Sequence, residues 1–272
     1  MSGAARAVLF DLDNTLILED ASTFAAVRAA AELARTRGGD PDVVATAAVD
    51  VAGRLWRASP AFAYADAMGI WWGEVLWGGF TGDAPQMRAL REFVPRFRDA
   101  VWRGALARAG VRDDALVAEL ARAYIAARRG GEAIDADAET VLGDLARDHR
   151  LGLVTNGAGD VQREKLARTE LGRYFGAIVI SAELGLGKPD PRLFARALDA
   201  LGVAAADATM VGDSLLRDVA GARRAGMRTV WLDRRLWDEE GPEPDARIER
   251  LSDLPAVLDA LERRPASPRA TP

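Results

Sequence analysis

Two aspartates one residue apart close the first apolar run of the chain: "VLFDLDNTL" runs from Val8 to Leu16 and holds Asp11 and Asp13. In extended backbone, residues i and i+2 point the same way, so both carboxyls can face one crevice. Two negative charges at a buried strand end are costly unless something positive sits with them. Three other stretches supply matching groups: "TNG" with Thr155 and Asn156, "GKPDP" with Lys188, and "GDSLLRD" with Asp213 and Asp218. Asp213 adds a third carboxylate, and such an oxygen-rich cluster suits Mg²⁺, a hard cation. Lys188 offers a fixed positive charge for an anionic substrate, and Thr155 offers a hydroxyl. Carboxylates, a divalent metal, a lysine and a hydroxyl make a set suited to phosphoryl transfer.

These residues need elements that bring them together, and the C-terminal half supplies them. "RLGLVTN", "FGAIVIS", "ATMVGDS" and "RTVWLD" read as short buried strands. Between them "ADAETVLGDLARDH", "DVQREKLARTEL", "PRLFARALDALG" and "LLRDVAGARRAG" read as helices, the third starting at Pro191 and stopping at Gly202. Strands alternating with helices predict an α/β fold: a Rossmann-like parallel sheet with helices on both faces. Ligands in such sheets bind outside the carboxyl ends of the strands, where all four polar stretches fall.

"VLFDLDNTL" predicts one more strand, followed by helix patterns only. "ASTFAAVRAAAELARTR", "PDVVATAAVDVAGRLWRAS" and "DDALVAELARAYIAARR" read as helices, and the aromatic stretch "AFAYADAMGIWWGEVLWGGF" between them has no clear assignment. The expected organisation is an α/β core from 1–17 and 130–264, an all-helical domain inserted at 18–129, and a Pro-rich disordered tail at 265–272.

Composition narrows the chemistry. The 272 residues carry 49% hydrophobic and 28% charged side chains and a net charge of -5, which argues against a nucleic-acid partner. With no cysteine, thiol nucleophiles, disulfides and cysteine metal sites are excluded. The one histidine, His149, cannot build a histidine metal cluster and reads as structural. The stretch "MSGAARAVLFDL" lacks a long apolar core and no run of ~20 apolar residues occurs, so no signal peptide, no membrane partner and a cytoplasmic location are expected. Catalysis then falls to carboxylates.

With "DLDNT", "TN", the "GKPDP" lysine and "GDSLLRD" in this order, the chain resembles the haloacid dehalogenase-like hydrolase superfamily. The likeness covers 6–16 and 132–235, and the helical insert matches in type and placement the cap of subclass I. The resemblance implies a Mg²⁺-dependent phosphatase of a small phosphorylated metabolite. Asp11 would be the nucleophile that becomes an aspartyl-phosphate, and Asp13 the acid and then the base. Thr155, Asn156 and Lys188 would hold the phosphoryl oxygens. Asp11, the Asp13 backbone carbonyl and Asp213 would bind Mg²⁺, with Asp218 outside them or paired with Lys188. The cap would close over the site, and since family members are often monomers or dimers, a monomer or homodimer is expected.

Other readings are weaker or remain open. "GLGK" is no nucleotide loop, because Ala182 stands at its first glycine position and Pro189 follows the lysine. Trp71, Trp72, Trp77 and Phe80 read as core, and Arg128 and Arg129 as a solvated helix end. A phosphomutase and a non-catalytic binding protein on the same fold stay open. A dehalogenase is disfavoured, since dehalogenases of the family lack the aspartate that stands here at Asp13.

Overall fold

The computed structural model describes residues 6–236 and 240–263, so the expected tail at 265–272 lies outside the described residues. The chain opens with strand β1 (Ala7–Phe10) and then runs through helices α1 (Glu19–Ala31), α2 (Pro41–Arg57), α3 (Phe62–Met68), α4 (Trp72–Val75), α5 (Pro85–Arg108) and α6 (Asp114–Gly130). After α7 (Ala138–Leu145) come β2 (Arg150–Thr155), α8 (Gly159–Thr169), β3 (Ala177–Ile180), α9 (Ser181–Leu184), α10 (Pro191–Leu201) and β4 (Ala208–Gly212). The chain closes with α11 (Ala220–Arg224), β5 (Arg228–Leu232), β6 (Ala246–Ile248) and α12 (Leu254–Glu262).

Contacts divide the chain into two units. One draws on Met1–Leu18, Ile134–Asn156 and Leu166–Pro272, the other on Glu19–Ala133 and Gly157–Lys165. Helix α8 therefore spans a division.

The first unit is a parallel sheet in the order β3-β2-β1-β4-β5-β6. Its central strand β1 is buried on both faces, and alternation sends its side chains to two cores. Val8 and Phe10 join Leu142, Leu153, Val211 and Leu258 on one face. Ala7 and Leu9 join Val154, Phe194, Leu198 and Met210 on the other. Each fully buried Leu or Phe contributes roughly 1.5–3 kcal/mol, which is why "AVLF" holds the middle of the sheet. Helix α10 starts at Pro191 behind the Asp190 cap, whose side chain accepts from the Arg192 N–H, and stops at Gly202 in the left-handed region at φ 64°.

Strand order reverses between β1 and β4, because the chain steps to β2 on one side and later to β4 on the other. A crevice forms outside the strand ends at such a reversal. Asp11 follows β1 and Asp213 follows β4, and the Asp11 N–H donates to the Val211 carbonyl at 2.9 Å.

Three local departures from the sequence pattern have physical causes. "LLRDVAGARRAG" is not one helix: a wide turn at Leu215–Val219, with the Val219 N–H reaching back to the Ser214 carbonyl, precedes α11. "ASTFAAVRAAAELARTR" passes from α1 into a tighter 3₁₀ segment, Glu32–Arg37. The aromatic stretch resolves into the short helices α3 and α4.

The second unit is all helical. Trp56 meets Phe93 and Phe97, and Trp102 meets Tyr124. Of the four aromatics read as core, Trp77 and Phe80 are buried, while Trp71 and Trp72 pack on each other and stay half-buried. The reading of Arg128 as a solvated helix end is overturned. Its side chain is 0% exposed, and its Nη2 lies 2.8 Å from Glu19 Oε2 while its Nη1 lies 3.2 Å from Glu132 Oε2. Lys165, also fully buried, pairs with Glu19 at 3.0 Å and Glu74 at 3.1 Å. The guanidinium stacks over Trp77, so paired charge and an aromatic face replace the water an exposed helix end would have. Arg129 is half exposed and pairs with Glu164.

Candidate active site

The sheet edge brings together side chains that are far apart in sequence. Lys188 Nζ lies 2.6 Å from Asp11 Oδ1 and 2.7 Å from Asp218 Oδ1, and all three side chains are buried. One carboxylate oxygen from each of Asp11, Asp213 and Asp218 falls within 4.8 Å of the others. Asp13 is half-buried two residues beyond Asp11, in the bridge that its backbone makes with Ile17.

Each position has a local cause. The wide turn after β4 carries Asp218 inward, and Asp218 Oδ2 accepts the Ser214 N–H at 3.1 Å. Gly212 makes room for it, since a Cβ there would stand 2.3 Å from Asp218 Cγ. The Trp231 indole donates to the Asp213 carbonyl at 2.8 Å and fixes that strand end. Asn156 holds the lysine segment: its Oδ1 accepts the Lys188 N–H at 2.8 Å, and its Nδ2 donates to the Lys188 carbonyl at 3.3 Å. The buried Thr155 hydroxyl donates to the Asn156 carbonyl at 3.1 Å.

Ser214, Gly212 and Trp231 went unassigned in the sequence. Trp231 was within reach of the strand-end rule, because "RTVWLD" ends at the same sheet edge. Nothing local marks Gly212 or Ser214, whose roles depend on the wide turn. His149 lies 2.8 Å from Glu262, a structural pair.

The electrostatics are unbalanced. Burial pushes the Asp11 carboxyl up to about 7 against the pull of Lys188, and the charges of Asp218 and Asp13 add to the rise. Burial, then Asp11 and Asp218, likewise hold Asp213 well above the ordinary carboxylate range. Burial opposes the charge on Lys188, yet Asp11 and Asp218 outweigh it and hold the ammonium above its usual range. Three carboxylates face one ammonium. An all-oxygen donor set with surplus negative charge fits a hard divalent cation.

The protein is thus of the α/β class, with a lysine and three aspartates gathered where the order of its parallel sheet reverses. A family model described as haloacid dehalogenase-like hydrolase matches residues 5–226, and the chain belongs to that family. It is 39% identical over 250 residues to a phosphoserine phosphatase of Thermus thermophilus, covering 91% of this chain and 96% of that protein. Among solved structures, it resembles a haloacid dehalogenase-type phosphatase from Thermococcus onnurineus, with TM-score 0.58, 26% identity, and 93% and 97% of the two chains covered. It also resembles a 2-haloacid dehalogenase from Pseudomonas syringae pv. Tomato, with TM-score 0.57, 28% identity, and 94% and 99% covered. Among the described residues, no helix is long and apolar enough to cross a membrane.

Proposed function

We propose that the protein is a Mg²⁺-dependent phosphatase of a small phosphorylated metabolite, working through an aspartyl-phosphate on Asp11. The observation that carries this reading is the Lys188 ammonium held between Asp11 and Asp218 at the strand-order reversal, with Asp213 in the same cluster. The enzyme is a phosphoric monoester hydrolase of the haloacid dehalogenase-like type. The Thermus relative puts phosphoserine first among substrates to try.

An Asp11 oxygen attacks phosphorus as the ester P–O bond breaks, and Asp13 gives its proton to the leaving oxygen. Asp13, now a carboxylate, takes a proton from water that attacks the same phosphorus. The P–O bond to Asp11 breaks, phosphate leaves, and both residues return to their starting forms. Lys188 and the Thr155 hydroxyl hold the phosphoryl oxygens, while Asn156 keeps the lysine segment in register. Asp11, the Asp13 carbonyl and Asp213 would hold the Mg²⁺, with Asp218 holding Lys188 beside them. The metal, when bound, offsets carboxylate charge and polarises the phosphoryl group. The helical segment 18–129 is the cap domain that sets specificity.

The similarity to a 2-haloacid dehalogenase supports a second reading, in which Asp11 attacks carbon and needs no metal. Asp13 weighs against it, because carbon–halogen cleavage leaves no oxygen to protonate. Phosphate release from phosphoserine and a panel of sugar and nucleotide monophosphates, with Mg²⁺ or EDTA and beside Asp11→Asn, tests the proposal. Mg²⁺-dependent release that the variant lacks supports it. Halide release from 2-chloropropionate without phosphate release would replace it.

A further inference from the structure

One guanidinium outside the site described above grips the turn that carries Asp13. Arg234, just past the end of β5, donates from Nε to the Asn14 carbonyl at 2.9 Å and from Nη2 to the Thr15 carbonyl at 2.7 Å. Its Nη1 lies 2.7 Å from Asp135 Oδ2, and both side chains are largely buried.

The turn it holds is tight. The N–H groups of Thr15, Leu16 and Ile17 all point at the Leu12 carbonyl, at 3.3, 2.9 and 2.9 Å. Asn14 takes the left-handed conformation at φ 57°, which a non-glycine residue keeps only when its surroundings impose it. Arg234 braces this turn, its planar fork meeting two carbonyls and a carboxylate at once. Asp135 adds the returning chain, because its N–H donates to the Leu16 carbonyl at 3.0 Å and Ile134 bridges Ile17. The α/β unit is left at Leu18 and rejoined at Ile134, so this one side chain fixes both roots of the inserted segment.

We infer that Arg234 is a positioning residue that sets the Asp13 turn and anchors the two chain segments bounding the helical insert. The inference rests on the phosphatase reading for its kinetic consequence, though not for its structural one. Removing the guanidinium leaves two carbonyls and the Asp135 carboxylate to find other partners, and Asn14 can relax. Asp13 then loses its alignment while Lys188, Thr155 and Asp213 keep theirs.

The test compares wild type, Arg234→Gln and Arg234→Lys in the full-length chain, with p-nitrophenyl phosphate as the turnover probe and ligand-free amide hydrogen exchange as the second readout. In Arg234→Gln, exchange at Leu16 and Ile17 should quicken at least about tenfold while β1 and β4 stay protected. kcat should fall roughly 10–100-fold with KM within about threefold, the pattern of lost alignment rather than lost binding. Arg234→Lys keeps a charge for Asp135 but cannot span both carbonyls, so it should recover melting temperature more than kcat. If Gln prevents folding, the Lys variant alone decides through that same split. Unchanged exchange at Leu16 and Ile17, or equal loosening throughout the sheet, would overturn the inference. A wild type that turns over no phosphomonoester would remove the proposed function, yet the exchange result would still decide for or against Arg234.

Discussion

A single added methyl group should disable this site. Gly212 ends β4 with Asp218 folded against it, and the Cβ of an alanine there would stand 2.3 Å from both Asp218 Cγ and Oδ2 and 2.7 Å from Asp218 Cβ. Ordinary contact starts about 1 Å farther out, so the buried carboxylate must retreat by about that much. It then loses the Lys188 ammonium at 2.7 Å or the Ser214 N–H at 3.1 Å. A misplacement of about 1 Å costs on the order of 10²-fold in rate. That is about 2.7 kcal/mol on the barrier. Overpacking should cost a further ~1–3 kcal/mol of stability. The assay is Mg²⁺-dependent phosphate release by Gly212→Ala, with a urea melt to confirm folding. The same substitution made in an Asp218→Gly background meets no carboxylate, so there it should cost less than about threefold. A kcat for Gly212→Ala within about threefold of wild type, or equal losses in both backgrounds, would refute the reasoning.

Three further outcomes follow from the same geometry. Lys165→Met removes the ammonium that Glu19 and Glu74 share while Arg128 still holds Glu19, so urea unfolding should show a loss of ~3 kcal/mol, the low end for a broken buried pair; a loss under about 1 kcal/mol would mean the pairs contribute little. Asp113 caps α6, and the Leu116 N–H followed by Arg37 holds its carboxyl below the ordinary range. A lowered pKa gives stability that is present above the unfolded value of 3.8 and lost as pH falls through the folded one. Asp113→Asn keeps a capping group without the charge, so its melting temperature should trail wild type at pH 7 and converge below pH 3.8; a gap that persists there contradicts the assignment. Mg²⁺ should raise the melting temperature of the wild type and EDTA abolish the gain, whereas Asp213→Asn should show almost no response; an equal gain in the variant would place the metal elsewhere.

Strands β1 to β5 are legible because they are largely buried and read as short, mostly apolar runs, most of them ending in polar residues. Those endings point to Asp11, Thr155 and Asp213, whereas Lys188 stands beyond α9 in the loop before α10 and is legible only from the "GKPDP" motif. Asp218 was harder. It belongs to the wide turn that interrupts an apparently helical stretch, and its pairing with Lys188 depends on Gly212 lacking a side chain. Strand β6 spans three residues, too few to show a period. Helix α5 carries Pro95 in its interior, which masks a 24-residue helix. Arg128 misled most, because "ARRGG" has the look of a solvated helix end while Glu19 lies 109 positions away. Long-range charge pairing leaves no local pattern. Arg234 was missed for the same reason, although it too stands at a strand end.

The covalent step is the centre of the account, and rapid acid quench during turnover reads it directly. Wild-type enzyme mixed with ³²P-labelled phosphoserine, or whichever phosphomonoester the panel selects, should carry label on the peptide containing Asp11. The label should appear before free phosphate accumulates, and Asp11→Asn should carry none. Free phosphate released with no label on the protein at any time would mean that water attacks the substrate directly, and the role given to Asp11 would be wrong.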